Sequence, residues 1–145
     1  GLLYAPEAYG RWKDVIEADP DAMYDEILLR FRSGAAVSAP DYVAAWQKLD
    51  RLRVEYHTAT AGYDAVILPA SPILPPNLDR LARDHDYYVS ENLLALRNTR
   101  IGNLMGNASL TLPTGVPSCG VMMMCPPMQE EFLLRLGAAV ENALA

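Results

Sequence analysis

The sequence predicts an α/β arrangement in which about three short strands and five helices form part of a larger sheet flanked by helices. Two observations lead there. First, "DAVILP" places Ala65, Val66, Ile67 and Leu68 in succession, a continuous apolar run that suits a strand covered on both faces. "ASLTLP" (Ala108 to Pro113) and "GVMMMC" (Gly120 to Cys125) are two further runs of this type, and the tight "TGVPS" between them makes them candidates to pair as neighbours. Second, amphipathic helical patterns precede and follow these runs, the ordering expected of layered α/β packing. Three short strands are a small sheet for so many helical residues, so they are expected to extend a sheet supplied by other chain.

The elements can be justified in order. The chain starts at Gly1 and runs straight into "LLYAPEAYGRW", which reads as the interior of a longer protein. "DPDAMYDEILLRFRSG" has Asp19 as N-cap and Pro20 at the first helical position. Met23, Tyr24, Ile27, Leu28 and Phe31 follow at helical spacing before Gly34. Ser38 and Asp41 stand at capping-box spacing ahead of the longest element, which carries Tyr42, Trp46, Leu49 and Tyr56 and stops by Gly62. "ASPILPPN" is a proline-rich loop. "SENLLALRNTRIGNLMG" predicts a helix that frays near Gly102. After Pro126 and Pro127, Met128, Phe132, Leu136, Val140 and Leu144 recur every four residues in a closing helix.

Composition excludes several function classes. A chain of 145 residues, 51% hydrophobic, buries about two thirds of the surface that its unfolded form exposes and is read as a single unit over residues 1–145. Twelve Lys+Arg against 18 Asp+Glu give −6, with no basic run to neutralise phosphates, so nucleic acid is not expected as a direct partner. The first residues show neither a basic region before a long apolar stretch nor a span, so no membrane is expected and a cytoplasmic location is. Cys119 and Cys125 lie six positions apart. On one strand they would be about 20 Å apart, too far to bridge, and they are read as reduced, largely buried thiols.

No self-sufficient catalytic set is visible. Nucleophilic hydrolysis needs an activated serine or cysteine beside a base, yet His57 and His85 stand far from any G-x-S-x-G elbow, which the chain lacks. His57 is read as a plain surface or packing residue of the long helix. "DHD" at Asp84 to Asp86 lacks the partner ligands that a metal site requires and is read as a solvated loop. "GNLMGN" lacks the lysine of a phosphate loop. Met122, Met123 and Met124 alternate faces on a strand and are read as core. No metal and no cofactor are expected.

The order of segments carries more than any single residue. "GYDAVILPASPILPP", then "RNTRIGNLMGNASLTLPTG", then "GVMMMCPPMQEEFLLRLGAAVE" together resemble the C-terminal part of the amidase signature family. There a "YD"-apolar-"PxxP" strand and loop precede an "NT…N" helix, two strands and a closing helix. The resemblance covers residues 40 to 145 well. It departs at Gly106-Asn107-Ala108, where members often have Gly-x-Pro, and at Gly120-Val121-Met122, where many have Gly-x-Gln.

The resemblance implies a hydrolase of non-peptide carbon–nitrogen bonds that uses a serine nucleophile, a second serine held by a cis peptide and a lysine base. Those serines belong to a Gly/Ser-rich signature preceding the matched region. Ser33, Ser38, Ser71, Ser90, Ser109 and Ser118 are isolated, so the chain is expected to hold no catalytic residue and to be inactive alone, as a C-terminal fragment. Its implied partners are a small amide substrate in the full-length enzyme and the N-terminal catalytic portion of the same protein. An uncovered apolar face would favour self-association into a homo-oligomer. Asn98, Thr99 and Asn103 match the "NT…N" pattern and are the candidates to line or brace the substrate cleft. Two other readings stand beside this one: the glutamine amidase subunit of a tRNA-dependent amidotransferase, and a noncatalytic interaction module.

Overall fold

The computed structural model describes residues 2–144. These contain seven α-helices and a three-stranded sheet, so the α/β class holds with more helices than the five expected. The chain divides into two compact units, residues 1–52 and 53–145.

In the first unit, α1 (Tyr4–Ala18) is a helix that the sequence reading left unassigned. Pro6 sits in its first turn, where a missing N–H removes no intrahelical bond. The helix expected from Asp19 onward is broken into pieces. Pro20–Ala22 is a 3-10 turn, Met23 is extended, and α2 covers only Asp25–Arg32 before a second 3-10 turn at Ser33–Ala36. Asp19 makes no side-chain cap. The ends of this region are tied to α1. Arg32 grips Glu17 through two hydrogen bonds of 2.9 and 2.6 Å, Tyr9 adds a third at 3.1 Å, and the Arg32 guanidinium holds the Glu17 carboxyl below its ordinary range. A Cβ at Gly34 would run into the backbone carbonyl of Ala5, so the second turn lies against α1 backbone to backbone. The long helix α3 (Ala39–Thr60) opens as expected: Ser38 Oγ donates to Asp41 Oδ2 at 2.7 Å and accepts from the Asp41 N–H at 3.2 Å.

The second unit is built on the order β1-β3-β2. Strand β3 (Gly120–Cys125) is central and antiparallel to both β1 (Val66–Pro69) and β2 (Ala108–Pro113). The predicted pairing of β2 with β3 is therefore present. β1 is an edge strand whose Ile67 is 59% exposed, so the described residues do not cover both its faces. The methionines do form core, Met123 and Met124 each being 1% exposed. Because side chains alternate along a strand, they split between two layers.

On one face, Ala108, Leu112, Met123 and Cys125 pack with Leu133 of α7 (Glu130–Leu144), and Leu110, Phe132, Leu136 and Val140 close the edges. The four-residue repeat placed Met128 and Leu144 on this stripe, but Met128 is 86% exposed and lies before the helix, and Leu144 is exposed too. A step of four residues rotates past a full turn of 3.6, so the stripe drifts and Leu133 and Gly137 take the buried positions. A Cβ at Gly137 would strike the Leu110 side chain. On the opposite face lie Val66, Leu68, Met122 and Met124, in register with Ser109 and Thr111.

The helix expected across "SENLLALRNTRIGNLMG" is two helices, α5 (His85–Ala95) and α6 (Arg97–Met105), with the break at Leu96. Short α4 (Leu78–Leu81) precedes them. "DHD" is not a solvated loop: Asp84 caps α5 by accepting from the Tyr87 N–H at 3.0 Å, and it pairs with Arg80 at 3.1 Å. The backbone bond, then Arg80, holds its carboxyl below the ordinary range. Cys125 is buried, with its thiol pushed up by burial, whereas Cys119 is exposed in the turn before β3. That corrects the expectation that both thiols are buried. Among the described residues no helix is long and apolar enough to cross a membrane.

Candidate functional site

α6 holds all three candidate residues, and helical geometry separates them. Asn98 and Gly102, four apart, share the buried side. Asn98 is 7% exposed and donates from Nδ2 to the Pro69 carbonyl at 2.8 Å, tying the start of α6 to the end of β1. At Gly102 the helix approaches the sheet so closely that a Cβ would lie 2.8 Å from Ser109 Oγ and 3.3 Å from Met124 Sδ. Thr99 and Asn103, also four apart, share the exposed side. Thr99 Oγ1 donates to the Leu96 carbonyl at 3.3 Å. The pattern "NT…N" thus consists of one buried brace and an exposed pair.

The C-terminal end of α6 is held with unusual completeness. A helix leaves its last four carbonyls without intrahelical partners. Here Gly106 adopts a left-handed conformation, φ 72°, so its own N–H reaches the Asn103 carbonyl at 3.4 Å and the Asn107 N–H reaches that of Gly102 at 2.9 Å. This is the reciprocal closure that glycine permits at a helix end. The remaining two carbonyls take side chains from α3: Arg53 Nε donates to Leu104 at 2.7 Å, and His57 Nε2 to Met105 at 3.1 Å. The Arg53 guanidinium there also suits the negative end of the helix. His57 is a packing residue, as expected, with an edge-on contact to Tyr56 at 5.3 Å. Sequence reasoning missed Arg53 because its partner is 51 positions away.

Three of the six serines are engaged in local structure. Ser33 donates to the Arg30 carbonyl, Ser38 caps α3, and Ser71 closes a turn onto Ile73, the usual competition of such side chains for nearby backbone. In the first unit an open apolar cleft of about 520 Å³ is lined by Val15, Ile16, Ala22, Met23, Tyr24 and Ile27, with Asp19 as the charged member of its lining. It offers no convergent set of polar groups of the kind a reacting substrate needs.

The fold also occurs in a solved structure described as an amidase. That structure superposes with a TM-score of 0.74 at 22% identity, over 97% of this chain and 33% of the other, a likeness of fold. The amidase family model matches residues 10–134, and the chain belongs to that family. Among its relatives, the 2-amino-5-chloromuconic acid deaminase of Comamonas testosteroni is 29% identical over 77% of this chain and 25% of its own length. An amidase of Pseudomonas putida is 28% identical over 97% of this chain and 31% of its own length. The chain therefore spans between a quarter and a third of those two proteins. An uncharacterized protein in the nthA 5' region of Rhodococcus erythropolis is 23% identical over 97% of this chain and 74% of its own length.

Proposed function

We propose that this chain is the C-terminal part of an amide hydrolase and acts within the full-length enzyme, where it supplies the helix and strands beside the substrate cleft. The observation that carries the reading is the family match over residues 10–134 in a chain whose serines stand singly, with no Gly/Ser-rich run among residues 1–145. The Ser-Ser-Lys chemistry then lies outside these residues. In that mechanism the serine oxygen attacks the amide carbon while its proton passes through the second serine to the lysine. The tetrahedral intermediate collapses as the amine leaves with a proton, and water cleaves the acyl-enzyme to release the acid.

Within this reading the candidate residues have different tasks. Thr99 and Asn103, exposed on α6, are the groups offered to substrate, and Asn98 holds the helix in place. Asn103→Ala in the full-length enzyme should raise KM with the unfolding transition unchanged; an unchanged KM with a lowered Tm makes Asn103 a brace. The deaminase named among the relatives favours a small acid carrying nitrogen as the substrate, since release of ammonia from such a compound is also hydrolysis at carbon–nitrogen. A panel of small amides and amino acids with the full-length enzyme tests this. Amide hydrolysis by the isolated 145-residue chain, lost on replacing one of its own serines, would overturn the whole reading.

A further inference from the structure

Beside the clamp that α3 places on α6 lies a small cavity lined by Tyr56, His57, Thr60, Asn107, Met124 and Cys125, among others, with about 10 Å³ open to a water-sized sphere. That is close to the room one water molecule needs. Two of the lining side chains, His57 and Asn107, each carry a buried polar atom whose role follows from the bond made by the other end of its group. The Met105 carbonyl can only accept, so His57 Nε2 carries the hydrogen of their 3.1 Å contact, and in the tautomer with its hydrogen there Nδ1 is an acceptor. Asn107 donates from Nδ2 to the Tyr56 hydroxyl at 3.0 Å, which leaves Oδ1 as an acceptor as well.

Both acceptors, His57 Nδ1 and Asn107 Oδ1, are buried with no hydrogen-bond partner among the described residues. Two acceptors cannot satisfy each other, and each buried unsatisfied group is destabilising. Two neighbouring donors are engaged elsewhere, Thr60 Oγ1 with the Tyr56 carbonyl at 2.9 Å and Cys125 Sγ with the Asp64 carbonyl at 3.2 Å, while the Tyr56 hydroxyl accepts from Asn107 and keeps its own hydrogen. A ligand for this cavity must be one heavy atom in size and donate two hydrogen bonds.

We propose that the cavity is a binding site for a single structural water, which donates one O–H to His57 Nδ1 and the other to Asn107 Oδ1. The water joins the last turn of α3 to the α6–β2 connection, and it fixes the imidazole in the tautomer that holds the Met105 carbonyl. His57 and Asn107 become positioning residues for α6. The inference does not depend on which bond the full-length enzyme cleaves.

The test uses the intact chain in ammonium-free buffer, because ammonium is the other donor of this size. A high-resolution crystal structure should show one density peak within hydrogen-bond distance of both atoms. Long-range proton–nitrogen correlation should show the proton of His57 on Nε2, and cross-relaxation should link a long-lived water to His57 Hε1. Asn107→Leu should abolish the peak and that cross-relaxation while the chain stays folded. A proton on Nδ1 donating directly to Asn107, an empty cavity with both side chains well ordered, or occupancy that follows added ammonium would each overturn the proposal. Should Asn107→Leu not fold, the tautomer and density of the unaltered chain decide by themselves.

Discussion

The two faces of the central sheet are held in different ways. Beneath α7 the contacts are apolar: Leu110, Leu112, Met123 and Cys125 against Phe132, Leu133 and Leu136. Toward α6 the joints are largely polar and directional, with Asn98 on the Pro69 carbonyl, Arg53 and His57 on the last carbonyls of the helix, and Asn107 on Tyr56. An apolar face tolerates small shifts, since burial is non-directional. Hydrogen bonds are directional and hold the helix in one position over the sheet. The comparison teaches that both sides bury apolar core, Met123 on one and Met122 and Met124 on the other, while the directional bonds that position a helix lie on the α6 side.

Breaking the apolar face should have the largest effect. Leu133→Ala removes a buried side chain from the layer under α7 and should lower the free energy of unfolding by about 3 kcal/mol, read by urea denaturation. On the polar face, Asn98→Leu keeps the number of side-chain heavy atoms but leaves the Pro69 carbonyl without its donor, a loss of about 2 kcal/mol. If the two variants lose stability equally, the division between the faces is wrong.

Arg53→Met should act more locally. The Leu104 carbonyl loses its donor, a destabilisation of roughly 1.5 kcal/mol, and amide exchange should rise in the last turn of α6 before it rises in α7. Uniform exchange across the unit would show that the clamp is not a separate joint. The smallest effect concerns Asp84. Its carboxyl is held below the ordinary range in the folded chain, so the cap is fully present above the unfolded carboxyl's pKa of about 4 and is lost as pH falls through the lower folded value. The Tyr87 amide should shift and exchange faster over that acid interval, with the α7 layer unchanged.

Legibility followed the same division. Strands β2 and β3, the start of α3 and the methionine core could be read from local pattern, because a capping box or an apolar run specifies its structure within a few residues. Helix α1 was missed, since Pro6 and Gly10 disguise a helix that begins just before the proline. The stretch from Asp19 to Gly34 looked like one helix by spacing, yet its ends follow ties to α1, from Arg32 to Glu17 and from Gly34 to the Ala5 backbone. For the candidate site, the sequence marked Asn98, Thr99 and Asn103 but not their separation into a buried brace and an exposed pair. That separation depends on where Leu96 breaks the helix and on which side of α6 meets the sheet.

By itself the sequence determined the α/β class, the neighbouring antiparallel strands, the segment order that resembles the amidase signature family and the isolation of every serine. Those are properties of residues close together in the chain, or of their order. Tertiary structure alone decided that Arg53 and His57 complete the last carbonyls of α6, that Asn98 faces the Pro69 carbonyl and that His57 and Asn107 share one small cavity. Their hydrogen-bond partners lie between 29 and 51 positions away in the chain. A hydrogen bond over that separation has no local periodicity to announce it, because it exists only once packing has brought its donor and acceptor within about 3 Å.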